Sequence, residues 1–276
     1  MGFLQKSNKS ARHNFTAAML PRDRKSQFFD CCRQRKDLIF KSALVLLLFQ
    51  LPFLAVKAIA NLSYANMLAT NVDAATTAVF LQIVSLMQIP CYAIMGLGFA
   101  AISRVFRQLA FSEPVFFGYH LKMGLSQNGK RFASIFLLGG IILHLCNLSR
   151  FFWSGFVAYV PMLMFAAIFL PVGLYMLSQA VFYEVRFSKS FSNGIALLAV
   201  KLLPTLGFSL LIMSLGLIDY IPLLVIRILL NGGVILVSPI IGLGWLIFSC
   251  YVFDKTINPK LNLEIIGKGL YHPESD

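Results

Sequence analysis

Long uninterrupted apolar runs, parted by short polar and basic stretches, set the pattern of this chain. Residues 42–60 ("SALVLLLFQLPFLAVKAIA"), 76–103, 132–149, 151–183, 202–218 and 232–253 each form such a run. A membrane β-strand alternates apolar and polar positions; these runs do not. A helix rises about 1.5 Å per residue, and the hydrocarbon layer is about 30 Å thick, so roughly 20 apolar residues are needed to cross. The runs at 76–103 and 151–183 exceed that length. Those at 132–149 and 202–218 fall slightly short and must cross with local thinning of the bilayer. The pattern predicts an all-α, polytopic transmembrane helix bundle of about six spans. Residues 1–37 read as a basic cytoplasmic tail, 38–253 as the transmembrane domain and 254–276 as a second cytoplasmic tail. The stretch "YIPLLVIRILLN" at 220–231 has two readings, as the start of the last span or as a separate short helix on the outer surface. Asn231-Gly232-Gly233 favours the second, because such a triplet breaks helices.

The connections carry a second pattern. "RQLAFSEPVFFGYHLKMGLSQNGKR", residues 107–131, is basic and half apolar. Ser112 suits a helix N-cap, Glu113 the positive end of a helix and Pro114 its first turn. The expectation is an amphipathic helix over 112–125 on the cytoplasmic membrane surface, with Gly124 and Gly129 turning the chain into the third span. A second such helix is expected over 188–200, where Phe191, Ile195 and Leu198 fall at helical spacing. Phe111-Ser112 recurs as Phe187-Ser188. Each pair follows a long uncharged run and precedes a basic residue that opens a shorter one. The two hairpins, spans two–three and four–five, therefore read as a parallel repeat with Phe111 equivalent to Phe187.

Charge then orients the chain. Only 13% of the 276 residues are charged, against about 25% in a soluble domain. The net charge of +13 therefore marks membrane flanks and excludes a nucleic-acid partner. Lys and Arg concentrate in 1–41, 104–131, 184–201 and the segment after 253, leaving only Lys57, Arg150 and Arg227 elsewhere. Basic residues stay on the cytoplasmic side, so both termini are expected there, in a cell membrane. The first 37 residues lack the form of a cleavable signal, and the first span is expected to insert uncleaved.

Candidate chemistry is sparse. Acids number 11, and no zinc, nucleophile-elbow or phosphate-loop motif occurs. The five cysteines make no CxxC pair. The expectation is a non-catalytic protein with no cofactor and no metal. Arg107, Lys122, Lys130, Arg131, Lys189 and Lys201 are the residues expected to contact lipid headgroups or the acidic groups of a partner. His144 and Gln88 are polar candidates at membrane depth, and so is Arg227 if 220–231 belongs to the last span, with Asp219 or Asp73 as possible partners; on the favoured surface reading Arg227 faces headgroups. Gln50, Gln82 and Gln179 suit hydrogen bonds between helices.

A resemblance adds to this reading. The stretches "AISRVFRQLAFSEPVFFGYHLKMGLSQNGKRF", "LYMLSQAVFYEVRFSKSFSNGIALLAVKLLPTL" and "FDKTINPK" resemble the YesL-like family of uncharacterised bacterial membrane proteins. The resemblance covers roughly residues 60–260 and rests on hydropathy with a few polar marks; the basic residues 1–37 lie outside it. It implies a bacterial plasma-membrane protein accessory to a carbohydrate ABC import or sensing system. Its partners would then be the lipid bilayer and ABC transporter permease or sensor kinase subunits. The residues alone leave open a small transporter or channel that acts by itself.

Overall fold

A computed structural model describes residues 20–221, 223–261 and 263–271. Among them the chain is helical with no strand. Its helices are α1 (Arg24–Gln34), α2 (Lys36–Ala69), α3 (Ala74–Ala110), α4 (Phe117–Phe152), α5 (Val160–Met164), α6 (Leu170–Phe182), α7 (Phe187–Val200), α8 (Leu202–Leu215), α9 (Leu224–Thr256) and α10 (Asn258–Leu261). A 3₁₀ turn at Gly155–Tyr159 leads into α5, and a π turn at Phe165–Phe169 joins α5 to α6. This gives one apolar segment, Gly155–Phe182. Five helices are long and apolar enough to cross a membrane: α2, α3, α4, Gly155–Phe182 and Leu229–Thr256. The chain is a polytopic α-helical bundle.

The candidate for a sixth crossing is a bent pair. α7 and α8 meet at an angle of 107°. Each has 14 residues, about 21 Å at helical rise, too short to cross alone. Pro204 explains the break. In a continuous helix its ring would collide with the carbonyl of Val200. Lys201 takes a non-helical conformation instead, and the Thr205 hydroxyl donates to the Lys201 carbonyl at 2.6 Å. The expected span at 202–218 is thus only part of a crossing, and α7 supplies the rest.

Packing requires that this pair cross. Trp245 Nε1 donates to the Leu174 carbonyl, Ser178 pairs with Ser249 and Phe182 stacks on Phe253. α6 and α9 therefore run in the same direction, and the chain must return to the opposite end between them. Only α7 and α8 lie there.

Two sequence expectations change. Residues 112–125 do not form a surface helix. Ser112 sits in the turn after α3 at φ +54°, and the next helix starts at Phe117 and runs unbroken through Gly124 and Gly129 to Phe152. No Ser cap is used there; His120 Nδ1 accepts from the Phe116 backbone N–H instead. Gly124 does not turn the chain. A Cβ on it would lie 2.5 Å from the carbonyls of Ala100 and Ala101, so its bare backbone lets α4 press against α3. The second change concerns 220–231. α9 passes through Asn231, Gly232 and Gly233 as one helix, so Arg227 sits in its first turns rather than on a separate surface helix.

A helix does form over 187–200, as the spacing predicted for 188–200, but it packs along α6 rather than standing apart on a surface. The Gln179 side chain donates to the Ser190 carbonyl, and Gly194 rests on Val172. Both hairpins, α3–α4 and α6–α7, are antiparallel and come in the same order. Their register differs from the one expected. Phe111 lies just past the end of α3, whereas Phe187 begins α7. Counted instead from the helix starts at Phe117 and Phe187, Gly124 and Gly194 occupy the same position, and each lies against the preceding helix, Gly124 on the carbonyls of Ala100 and Ala101 and Gly194 on Val172. Phe111 packs on Phe182 rather than matching Phe187, with ring centroids 5.5 Å apart.

The core lies where α1, α2, α3 and α9 meet. Leu46, Ile102, Val105, Phe106, Leu243 and Ile247 are buried there. A second cluster gathers Tyr175, Leu197, Trp245, Val252 and Phe253 around α6, α7 and α9.

Candidate functional site

The two turns 111–116 and 183–186, the start of α1 and the end of α9 meet at one end of the bundle, which carries most of the basic residues. Local sequence starts α1. The Asp23 carboxylate accepts from the Ser26 backbone N–H at 2.6 Å, and the Ser26 hydroxyl accepts from the Asp23 N–H. The Ser26 N–H, and then the Ser26 hydroxyl, donate to the Asp23 carboxylate and hold it below its ordinary range. The cap places Arg24 inward, 8% exposed. Its guanidinium donates to Asp254 Oδ2 at 2.8 Å, the Ala110 carbonyl at 3.1 Å, the Lys268 carbonyl at 3.0 Å and Gln27 Oε1 at 2.9 Å. A cation on the unsatisfied carbonyls at the end of α3 complements the helix dipole. Lys268 pairs with Glu113 at 2.7 Å, and the Tyr271 N–H donates to the Pro21 carbonyl. Gly269, at φ +87°, lies so close to Phe111 that a Cβ would sit 2.7 Å from its carbonyl carbon. Segments near the two termini are thereby latched together over the α3–α4 turn. Spacing alone could not reveal this latch, because Arg24 and Asp254 are far apart in sequence; the Asp23 cap was the one local signal.

The predicted contact residues divide. Lys122, Lys130 and Lys189 are exposed. Arg107 is half-buried, with its guanidinium 5.4 Å from the Phe111 ring centroid. Lys201, at the α7–α8 break, lies 5.6 Å from the Tyr251 ring centroid, and Lys255 lies over the same ring at 4.6 Å. Arg131 is half-buried at the α6–α7 turn and donates to the Tyr183 carbonyl at 3.4 Å. Tyr183 hydrogen-bonds Asn258; burial pushes its phenol above the ordinary range.

The polar residues of the spans are used between helices. His144 Nδ1 lies 3.1 Å from the Ser85 hydroxyl, the Asn147 amide donates to the same oxygen, and Gln82 donates to the Asn147 carbonyl. These bonds join α3 and α4. The buried Ser178 hydroxyl receives the Trp245 indole N–H and pairs with Ser249. Tyr175 and Thr205 hydrogen-bond at 2.9 Å. Gln88 is half-buried, and its side chain makes no hydrogen bond among the described residues. Arg227 lies one turn ahead of Asn231, whose side chain donates to the Arg227 carbonyl and accepts from Lys57. The carboxylate of Asp73, an expected partner of Arg227, instead caps α3 through Thr76; the Asp219 side chain falls outside the described residues.

A large cavity lies beside α4. An apolar crevice of about 340 Å³ opens between α4 and the segment Phe165–Met176, with Ile135, Phe136, Gly139, Gly173, Phe187 and Met213 among its walls. Little in the residue pattern signals it. Its room comes from glycines: a Cβ on Gly139 would meet nothing within 4 Å, and one on Gly173 would meet only Ile135, at 3.8 Å. The π turn at Phe165–Phe169 forms part of the same wall.

Fold and site together define a multi-pass helical membrane protein with one basic, latched end and an apolar crevice in its flank. The chain matches no protein-family model, no curated protein and no solved structure.

Proposed function

We propose that this chain is a non-catalytic plasma-membrane protein that works by binding, with its basic end in the cytoplasm and a membrane-bound partner docked there. The observation that carries the reading is the exposure of Lys122, Lys130 and Lys189 at one end of the bundle, where no described carboxylate pairs with them. The buried polar side chains of the spans support the same reading, because they join helices pairwise instead of converging on the crevice. Positive-inside orientation puts the basic end in the cytoplasm, and exposed cations there suit acidic groups on a partner. The YesL-like resemblance of the hairpin stretches names the partner class: a permease or sensor subunit of a carbohydrate import system.

Pull-down in mild detergent tests this. The full chain is expected to retain such a subunit stoichiometrically. The K122E/K189E double variant is expected to insert and accumulate normally and to lose that subunit. Retention by the variant, or sugar flux through liposomes holding this protein alone, contradicts the reading.

A further inference from the structure

The apolar crevice does not end in hydrocarbon. Three of its residues, Ile135, Met176 and Phe187, also line a small recess that Arg131, Gln179 and Ser190 complete. The recess thus reaches Arg131, whose guanidinium donates to the Tyr183 carbonyl at the end of α6. Along α4 it extends from Arg131 to Leu143. Those twelve steps span about 18 Å at helical rise. One leaflet of a bilayer's hydrocarbon layer is about 15 Å thick. The crevice therefore has the length of one leaflet and opens on the flank of the bundle. It does not have the length of a pore.

Its chemistry is divided in the same way. The walls of the large part are apolar, so water gains no partners there. An empty void of this size would forfeit dispersion contacts along its whole lining, which hydrocarbon from a surrounding bilayer would restore. At the recess the side chains of Gln179 and Asn193 are occupied with each other, and Gln179 also donates to the carbonyls of Tyr175 and Ser190. Arg131 is different. It makes one long hydrogen bond, to the Tyr183 carbonyl, and no ion pair with any described carboxylate, Glu184 of the same turn included. Exposed Lys130 and Arg186 adjoin it in sequence or in that turn. A planar guanidinium with unused donors matches phosphate oxygens.

We propose that the crevice between α4 and α6 holds one acyl chain of an anionic bilayer phospholipid, with the lipid phosphate on the Arg131 guanidinium. The lipid would be a resident of the fold, bound along the flank. This assignment stands apart from the cytoplasmic partner proposed above.

Native mass spectrometry of the full chain, released from vesicles of equal parts phosphatidylglycerol and phosphatidylethanolamine, tests it. The wild type is expected to carry one phosphatidylglycerol in preference to phosphatidylethanolamine. Losing a charge-assisted phosphate contact should weaken lipid retention about tenfold or more in Arg131→Gln, most for phosphatidylglycerol, whose phosphate no ammonium group of its own neutralises. Arg131→Lys, which keeps the charge, should recover part of it. Gly139→Leu and Gly173→Leu fill the crevice and leave Arg131 in place. They should lose the bound lipid of either kind while eluting as folded protein, since leucine is the better helix former. Three outcomes overturn the proposal: no retained lipid in the wild type, equal phosphatidylglycerol retention in wild type and Arg131→Gln, or undiminished lipid in both glycine variants. Inorganic phosphate added to the Gly173→Leu variant separates a soluble anion from a lipid. Its binding there as tightly as phosphatidylglycerol binds the wild type would show that the acyl chain plays no part, and would also overturn the proposal.

Discussion

Arg24 shows how one side chain can hold two ends of a chain together. Its guanidinium neutralises Asp254 and satisfies carbonyls from α3 and from the segment near the C-terminus. Removing one partner of a buried pair leaves the other uncompensated, which costs about 3–5 kcal/mol. Arg24→Met should therefore lower thermal stability in detergent by an amount of that order. The double variant Arg24→Met/Asp254→Leu should recover only part, because the Ala110 and Lys268 carbonyls still lack their donor. A loss below about 1 kcal/mol in the single variant would contradict the latch. Cys31, on the same helix, gives a pH-dependent check. Burial, and then the neighbouring Cys32, push its thiol up to about 11. Relative to an ordinary thiol near 9, the thiolate at pH 8 is depleted on the order of a hundredfold. A single-Cys31 variant should alkylate at pH 8 slower than a free thiol by that order, and an ordinary rate would show that α1 is not docked. The folded pKa is raised, so the linked stability is present below about 9 and is lost as pH rises through about 11.

Elements differ in how far the sequence foretold them. Apolar run length predicted α2, α3 and the Gly155–Phe182 segment well, because crossing a fixed thickness sets a minimum length. It failed at 112–125, where Ser-Glu-Pro reads locally as a helix start. Pro114 follows Glu113 and disfavours helical backbone there, the chain turns through Ser112 instead, and the helix begins later, under a cap supplied by His120. It failed again at Asn231-Gly232-Gly233, because a bundle satisfies helix backbone that glycine alone would leave free. The latch and the crevice were hidden for another reason: each joins residues distant in sequence. Of the site, Arg131 was named from its charge, but nothing in the pattern gave it a cavity. The glycines permit a graded test. Gly124→Leu should force α4 off α3, since its Cβ would lie 2.5 Å from two carbonyl oxygens, and overpacking of this kind costs about 1–3 kcal/mol or more. Gly118→Ala meets nothing within 4 Å and should be neutral or stabilising by up to about 1 kcal/mol. Equal effects of the two changes in detergent unfolding would contradict the close α3–α4 contact.

At the scale of the whole molecule, the number of crossings follows from which segments meet. The Tyr271–Pro21 hydrogen bond and the Arg24–Asp254 pair bring the start and end of the described chain to one end of the bundle. That requires an even number of crossings, so the bent α7–α8 pair must traverse the layer rather than dip in and return. Single cysteines at Thr70, Ser188 and Leu217, placed in a Cys-free chain and treated with a membrane-impermeant maleimide in intact cells, measure this directly. Thr70 lies in the α2–α3 turn, Ser188 at the start of α7 and Leu217 just past α8. Six crossings with the basic end inside predict labelling at Thr70 and Leu217, and at Ser188 only after permeabilisation. Protection of Leu217 together with Ser188, or labelling of Ser188 in intact cells, would contradict six crossings with the basic end inside.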